Sequence, residues 1–262
     1  MSKEDAKTTR ILPPVSKTEC LYVGVDGSMI STRDEGYKEA KLARLFNSSD
    51  CLNPNTKSAY LGKSQYVAHL GTSKEFCEKT EQVIDSYGQL GERLVFLTDG
   101  ATWIKNWIEA FYPEATAILD YFHACEHLHE FAESCTWEDP ASGEKWYKEQ
   151  KSLLYESSLD QVLDNIKAAT AKEADKEKLL NYYQNNCGRM NYKKYRAMGC
   201  GIIGSGAIES AHRTVIQKRM KLSGQHWSRD GAKNMLRLRI FSMNNQWHKV
   251  IDAIKKPLYL AA

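Results

Sequence analysis

Three acids carry the chemistry open to this chain: Asp26, Asp99 and Glu209. Asp26 and Asp99 each follow a short apolar run rich in β-formers, LYVGV and LVFLT, and each precedes a glycine. Glu209 stands in the first turn of a helix-like segment that opens from a glycine-rich loop, GCGIIGSGAIES. If the two apolar runs are parallel neighbours, both aspartates emerge at one sheet edge, where ligands of α/β sheets gather. Two ionised carboxylates held together repel each other, and a divalent cation removes the repulsion. Mg2+ takes oxygen ligands and keeps water and substrate phosphate in its shell, so a few carboxylates suffice. A helix dipole favours the charged form of Glu209 as a third ligand. Such a site transfers phosphoryl groups: one bound ion activates water or a 3′-hydroxyl, and another stabilises the leaving oxygen. The acids act as ligands, not nucleophiles. Taken singly, each Asp-Gly is also a common turn signal, so the joint pattern carries the assignment.

Two further groups lie nearby in the chain. Asp120 ends a third apolar run, residues 115–119, and His123 follows it. His123, Cys125, His127 and His129 also spell H-x-C-x-H-x-H, a pattern open to a zinc reading. A zinc-dependent hydrolase is therefore the rival from another enzyme class. The flanking residues read as helix, however, where a spacing of two scatters side chains around the axis. Gly199, Gly201 and Gly204 fit G-x-G-x-x-G, a dinucleotide fingerprint that requires a preceding apolar strand. The preceding residues are RMNYKKYRAM, basic and polar, so the loop reads as the lead into a helix.

The net charge of +3 hides an asymmetry. Residues 189–262 carry 15 Lys and Arg against 3 Asp and Glu, whereas residues 1–188 carry 21 against 30. A basic quarter on a mildly acidic body points to a polyanion partner. Lys218, Arg219 and Lys221 follow Glu209 on the same expected helix and read as contacts to a nucleic-acid backbone. Arg213 lies four residues past Glu209, on its face, to pair with it or to reach a phosphate; His212 is near the same stripe. Trp227 reads as core, with stacking on an unpaired base as the alternative.

The elements that must position these groups follow from periodicity. A chain of 262 residues, 42% hydrophobic and 26% charged, buries one sizeable core with room for an inserted subdomain. No apolar run approaches a membrane span and no signal-like run follows the polar N-terminus. Seven cysteines without a C-x-x-C pair suit a reducing cytosol, so a cytoplasmic protein is expected. Residues 1–18 read as a polar leader closed by Pro13 and Pro14. Strands are expected over 21–26 (ended by Gly27), 38–47, 64–70, 94–98 and 115–119, with helices over 72–91 and 103–112. Helical spacing dominates the stretch before residue 198, and two closing helices are expected over 205–222 and 229–250. The fold class is α/β, a mixed sheet flanked by helices. The catalytic domain is expected to comprise residues 19–122 and 199–250, around a helical insertion of residues 123–198, with a tail over 251–262.

Together these stretches resemble the DDE transposases of bacterial insertion sequences, specifically the Kra type, whose catalytic domains relate to the Mutator and hAT groups. The resemblance rests on LYVGVDGSMI around Asp26, VFLTDGATWIKNW around Asp99, AILDYFHACEHL around Asp120 and GIIGSGAIESAHRTVIQKRMKLSGQHWS around Glu209. It implies an RNase H-like fold with an all-helical insertion before the last catalytic helix. It also implies Asp26, Asp99 and Glu209 as the DDE triad with Mg2+ or Mn2+, and metal-dependent cleavage and transfer of DNA strands at insertion-sequence ends. Related groups carry a C/D-x-x-H motif after the second aspartate, and Asp120 to His123 matches it; the resemblance implies His123 as a contact to a DNA phosphate or a brace for the triad, and Asp120 as the fallback second metal ligand. The implied partners are DNA and further copies of the chain, since two DNA ends must be joined, with no membrane involved. Such transposases are usually longer, with an N-terminal segment that recognises terminal repeats. This chain starts just before the first catalytic strand. The expectation is a truncated copy, the second half of a split frame with a separately encoded N-terminal half, or a domain targeted by a partner. An inactive DNA-binding remnant of the same fold is the alternative.

Overall fold

Alternation along the first strand sets the layering. A computed structural model describes residues 10–54 and 59–255. In β1 (Leu21–Thr32), Leu21, Val23 and Val25 face one side, where they meet Ala43, Leu45, Leu94 and Phe96. Tyr22 faces the other side, stacked on Phe46 and packed with Val95 and Leu97. Both faces are covered, so residues 21–25 are all buried, as strands between two layers must be. β2 (Gly36–Asn47) returns antiparallel to β1, a small hairpin of β3 (Cys51–Leu52) and β4 (Tyr60–Leu61) follows, and β5 (Gln65–Leu70) pairs antiparallel with β2. Helix α1 (Ser73–Asp85) leads to β6 (Leu94–Thr98), and α2 (Thr102–Phe111) leads to β7 (Thr116–Leu119). β6 is parallel to β1, and β7 to β6, giving the sheet order β5-β2-β1-β6-β7.

Helices α1 and α2 cover the face that carries Val23 and Phe96. The other face is covered by a helical block running from β7 to the glycine loop: α3 (Tyr121–Ser134), α4 (Pro140–Tyr155), α5 (Leu159–Ala168), α6 (Glu173–Asn186) and α7 (Tyr192–Arg196). Leu128, Phe131, Leu154, Val162, Ile166 and Tyr183 knit the block together. The chain then closes over the β2–β5 half of the sheet with α8 (Gly206–Ala211), a π turn over His212–Gln217, α9 (Lys218–Met220), α10 (Arg229–Met243) and α11 (Trp247–Lys255). Among the described residues, no helix is long and apolar enough to cross a membrane.

Four expectations need correcting. β1 does not stop at Gly27 but runs on to Thr32, because its antiparallel pairing with β2 continues to Thr32↔Gly36. The hairpin turn falls instead before Gly36, whose φ of +68° suits glycine. Residues 10–18 are not merely a leader: Leu12 is buried in the core and Ile11 N–H donates to Gln65. The expected helix over 229–250 breaks after Met243. Asn245 takes a left-handed φ of +54°, which asparagine tolerates, and the Asn244 side chain bonds the backbone N–H and carbonyl of Tyr66. The helix expected over 205–222 is interrupted by the π turn, and Lys221 falls past its end. Leader residues 1–9 and tail residues 256–262 lie outside the described residues; residues 251–255 of the expected tail belong to α11.

Candidate functional site

The parallel half of the sheet lines up three acids. β1 pairs with β6 through Val25↔Thr98, so Asp26 and Asp99 are the next residues on strands about 4.8 Å apart. Thr98 also pairs with Leu119 of β7, and the N–H of Asp120 donates to the Thr98 carbonyl at 2.8 Å. Asp26, Asp99 and Asp120 thus form a row across three adjacent strands, where β6 and β7 end and β1 outruns its parallel partner to continue along β2. Glu209 is lowered onto this row by α8. A Cβ on Gly24 would lie 3.1 Å from Cβ of Ile208, so glycine in β1 is what lets α8 approach. The buried Arg44 of β2 donates to the Ala207 carbonyl at 2.9 Å and pins the same turn. The loop before α8 is held by backbone: Tyr121 N–H donates to the Ile203 carbonyl at 2.9 Å. Gly201 has φ +72°, and a Cβ there would meet the Arg196 carbonyl oxygen at 2.7 Å. What precedes the loop is α7, not a strand, so it is no dinucleotide fingerprint.

Asp26, Asp99, Asp120 and Glu209 line one cavity of about 210 Å3 with Phe122, His123, Glu126 and Ser205. Each carboxylate holds a local hydrogen bond. Asp26 Oδ1 accepts from Gly27 N–H at 2.6 Å, Asp99 Oδ1 from Ala101 N–H at 3.0 Å, and Glu209 Oε1 from Ser205 Oγ at 2.6 Å. Asp120 Oδ1 accepts from Phe122 N–H at 2.7 Å and so caps α3. Burial pushes the Asp120 carboxyl pKa above its ordinary range, against the pull of hydrogen bonds from Ser205 and backbone N–H groups. Among the described residues, no three His, Cys, Asp or Glu side chains converge closely enough to hold a metal ion. The donor set is nevertheless all carboxylate oxygen, the chemistry a hard cation takes. Seating one requires the acids to turn from their local bonds toward the cavity.

His212, expected near the Glu209 stripe for DNA contact or site support, is buried, with Nε2 3.2 Å from Asp26 Oδ2. The approach has ion-pair distance but not hydrogen-bond alignment. His212 N–H still bonds the Ile208 carbonyl, so the α period holds to this point; it puts His212 between Glu209 and the buried Ile208, and Arg213 on the outer side. Arg213 is exposed, and Glu209 has Ser205 as its partner, not Arg213. Lys218, Arg219 and Lys221 are exposed. Trp227 packs with the C-terminal helices and donates from Nε1 to the Met220 carbonyl, so the core reading holds.

The H-x-C-x-H-x-H run falls on α3 and scatters as a helix must. Cys125 points into the core, where burial pushes its thiol up to about 11. His123 lies 3.1 Å from Glu126, His127 3.7 Å from Glu130 and His129 3.8 Å from Glu133. Two site cations escaped the sequence reading. Arg44 was read only as part of a strand. Arg189 is buried with its guanidinium 3.5 Å from Thr98 Oγ1 and bonded to Asn186, beside the strand end that carries Asp99. A basic residue at an inward position of an apolar strand was the available signal for Arg44; Arg189 had none beyond its charge.

A mixed α/β sheet with an acid-lined cleft at its parallel strand ends is the class of protein these features define. The chain belongs to the uncharacterised protein family UPF0236, which it matches over residues 3–256. It is 24% identical over 229 residues to the UPF0236 protein TTE2489 of Caldanaerobacter subterraneus subsp. tengcongensis, covering 86% of this chain and 47% of that protein. To the UPF0236 protein in vanSb 3′region of Streptococcus gallolyticus it is 23% identical over 244 residues, 86% of this chain and 50% of that protein. A further Caldanaerobacter relative, 21% identical over 245 residues, covers 92% of this chain and 50% of its own length; its name joins eleven TTE numbers. The chain therefore spans about half the length of the curated relatives it matches.

Proposed function

We propose that this chain is the catalytic portion of a DDE transposase of the insertion-sequence type, which cuts and joins DNA strands with Mg2+ or Mn2+. The observation that carries the reading is the cavity itself: five carboxylic acids, Asp26, Asp99, Asp120, Glu126 and Glu209, line one small space at parallel strand ends. So many acids together are poorly compensated without a cation. The sheet order, with three antiparallel strands followed by two parallel ones, supports an RNase H-like catalytic core with a helical insertion before the Glu209 helix. The eleven numbers in one relative's name support it from another side, since many copies in one genome are what a self-copying DNA segment leaves.

In this reading Asp26, Asp99 and Glu209 hold the cation, which supplies activation of the attacking oxygen and stabilisation of the leaving one. Ser205 orients Glu209, His212 faces the outer oxygen of Asp26, and Asp120 fixes the start of α3 so that His123 stands at the cavity wall. Lys218, Arg219 and Lys221 hold the DNA backbone outside the site. The test is nicking of supercoiled DNA in Mn2+ by wild type and Glu209→Gln. Nicking by wild type alone supports the assignment. Among the described residues the ligand atoms do not converge, which favours a second reading, an inactive DNA-binding remnant; DNA binding by both proteins with nicking by neither selects it.

A further inference from the structure

Phe122 stands 55% exposed in the wall of the acid-lined cavity, although its neighbour Tyr121 is buried. Scattered exposed apolar residues are ordinary, but this ring is fixed in place. Its N–H donates to Asp120 Oδ1 at 2.7 Å, which sets the first turn of α3. The Tyr121 ring meets it edge-on, with centroids 5.4 Å apart and planes at 73°. Its Cδ2 and Cε2 press on the Gly204 backbone so closely that a Cβ there would lie 2.4 Å from each atom. A glycine of the catalytic loop therefore makes the seat of the ring. The remainder of the ring is open beside Asp26, Asp99 and Glu209.

Resting on the reading that this site cleaves DNA, we infer that Phe122 is a stacking platform for one unpaired base next to the scissile phosphate. A phosphate drawn to the carboxylates through a cation brings its own nucleotide to the cavity wall. A base held in a duplex is stacked between its neighbours and presents only its edge, so it leaves the ring uncovered. An unpaired base presents a π-face, which an aromatic side chain takes without sequence preference. The preferred substrate is then DNA opened or distorted at the cleavage point rather than continuous duplex.

The test is binding by fluorescence anisotropy in Ca2+, comparing a fully paired duplex with the same duplex carrying one unpaired 2-aminopurine. Wild type is expected to bind the unpaired substrate more tightly and to quench the 2-aminopurine. Phe122→Ala should lose about tenfold in affinity on the unpaired substrate, lose the quenching, and leave the paired duplex unchanged. Phe122→Trp should retain both. If Phe122→Ala weakens both substrates alike, or neither, the platform is refuted while the DNA reading stands. If wild type binds neither substrate, the DNA reading fails and the platform with it.

Discussion

Asp26 and Glu209 are held by different means. Glu209 takes a hydrogen bond from Ser205, one turn earlier on the same helix. Asp26 faces His212, a buried ring from another element that makes no aligned hydrogen bond among the described residues. A buried imidazole costs free energy unless a polar group receives it, so its place beside the first ligand argues for a positioning role. His212→Phe keeps an aromatic ring, somewhat larger than the imidazole, and removes both ring nitrogens, including the Nε2 that faces Asp26. The expected outcome is a folded protein with its melting temperature within a few degrees of wild type and Mn2+-dependent nicking reduced about 10–100-fold, the usual effect of losing a ligand-orienting partner. Higher Mn2+ should restore part of the rate; a variant that nicks like wild type at all Mn2+ concentrations refutes the role. Asp26, Asp99 and Glu209 were legible in the sequence because apolar strands and a glycine loop frame them. His212 was legible only as a neighbour of Glu209; its burial against Asp26 was not, because nothing in the residue types near it shows that β1 passes beneath this helix.

Among the elements, the close packing of α8 on β1 decides where Glu209 falls. Ile208 is branched at Cβ and stiff in a helix, so it has no easy way to yield to a Cβ at position 24. Gly24→Ala should lose about 1–3 kcal/mol of stability and most of the nicking, measured by chemical denaturation and plasmid assay. Gly206→Ala, in the same helix but with nothing within 4 Å of its added Cβ, is the matched control and should be neutral or stabilising. At the opposite edge, α1 begins with a reciprocal cap between Thr72 and Glu75. Hydrogen bonds from the Thr72 hydroxyl, then from His69 and the Thr72 backbone, hold the Glu75 carboxyl at about 2 instead of its usual 4.5. His69 is itself pulled down by burial, which weakens its half of the pair, so the cap is the larger influence. A lowered carboxyl pKa favours the folded state above the unfolded value, and that contribution is lost as pH falls from 4.5 toward 2. Glu75→Gln should therefore flatten the acid limb of the stability curve in that window and leave its shape near neutrality unchanged. The strands and the helical block were readable because their periods of two and of about 3.6 are unbroken. The break between α10 and α11 was not, because it turns on a left-handed asparagine whose neighbour serves the backbone of Tyr66.

At the scale of the molecule, charge and chemistry are joined by one helical path. From Glu209 to Lys218 the chain stays helical through α8, the π turn and α9, a rise of about 14 Å. That is about four base steps along a DNA strand. Under the proposed function, DNA whose reacting phosphate lay over the acids and that followed this helical path would pass Lys218, Arg219 and Lys221, all exposed. Each phosphate they neutralise releases counterions, and the slope of log affinity against log salt changes by about 0.9 per contact. Replacing Lys218, Arg219 and Lys221 together by glutamine should reduce that slope by about 3 in magnitude while leaving the fold intact, since none of the three is buried. Glu209→Gln removes a proposed ligand but none of these three cations, so its slope should match wild type. Anisotropy titrations over a salt series separate the two. An unchanged slope in the triple variant places the DNA path elsewhere, and a changed slope in Glu209→Gln means the acids contribute to backbone electrostatics and not to catalysis alone.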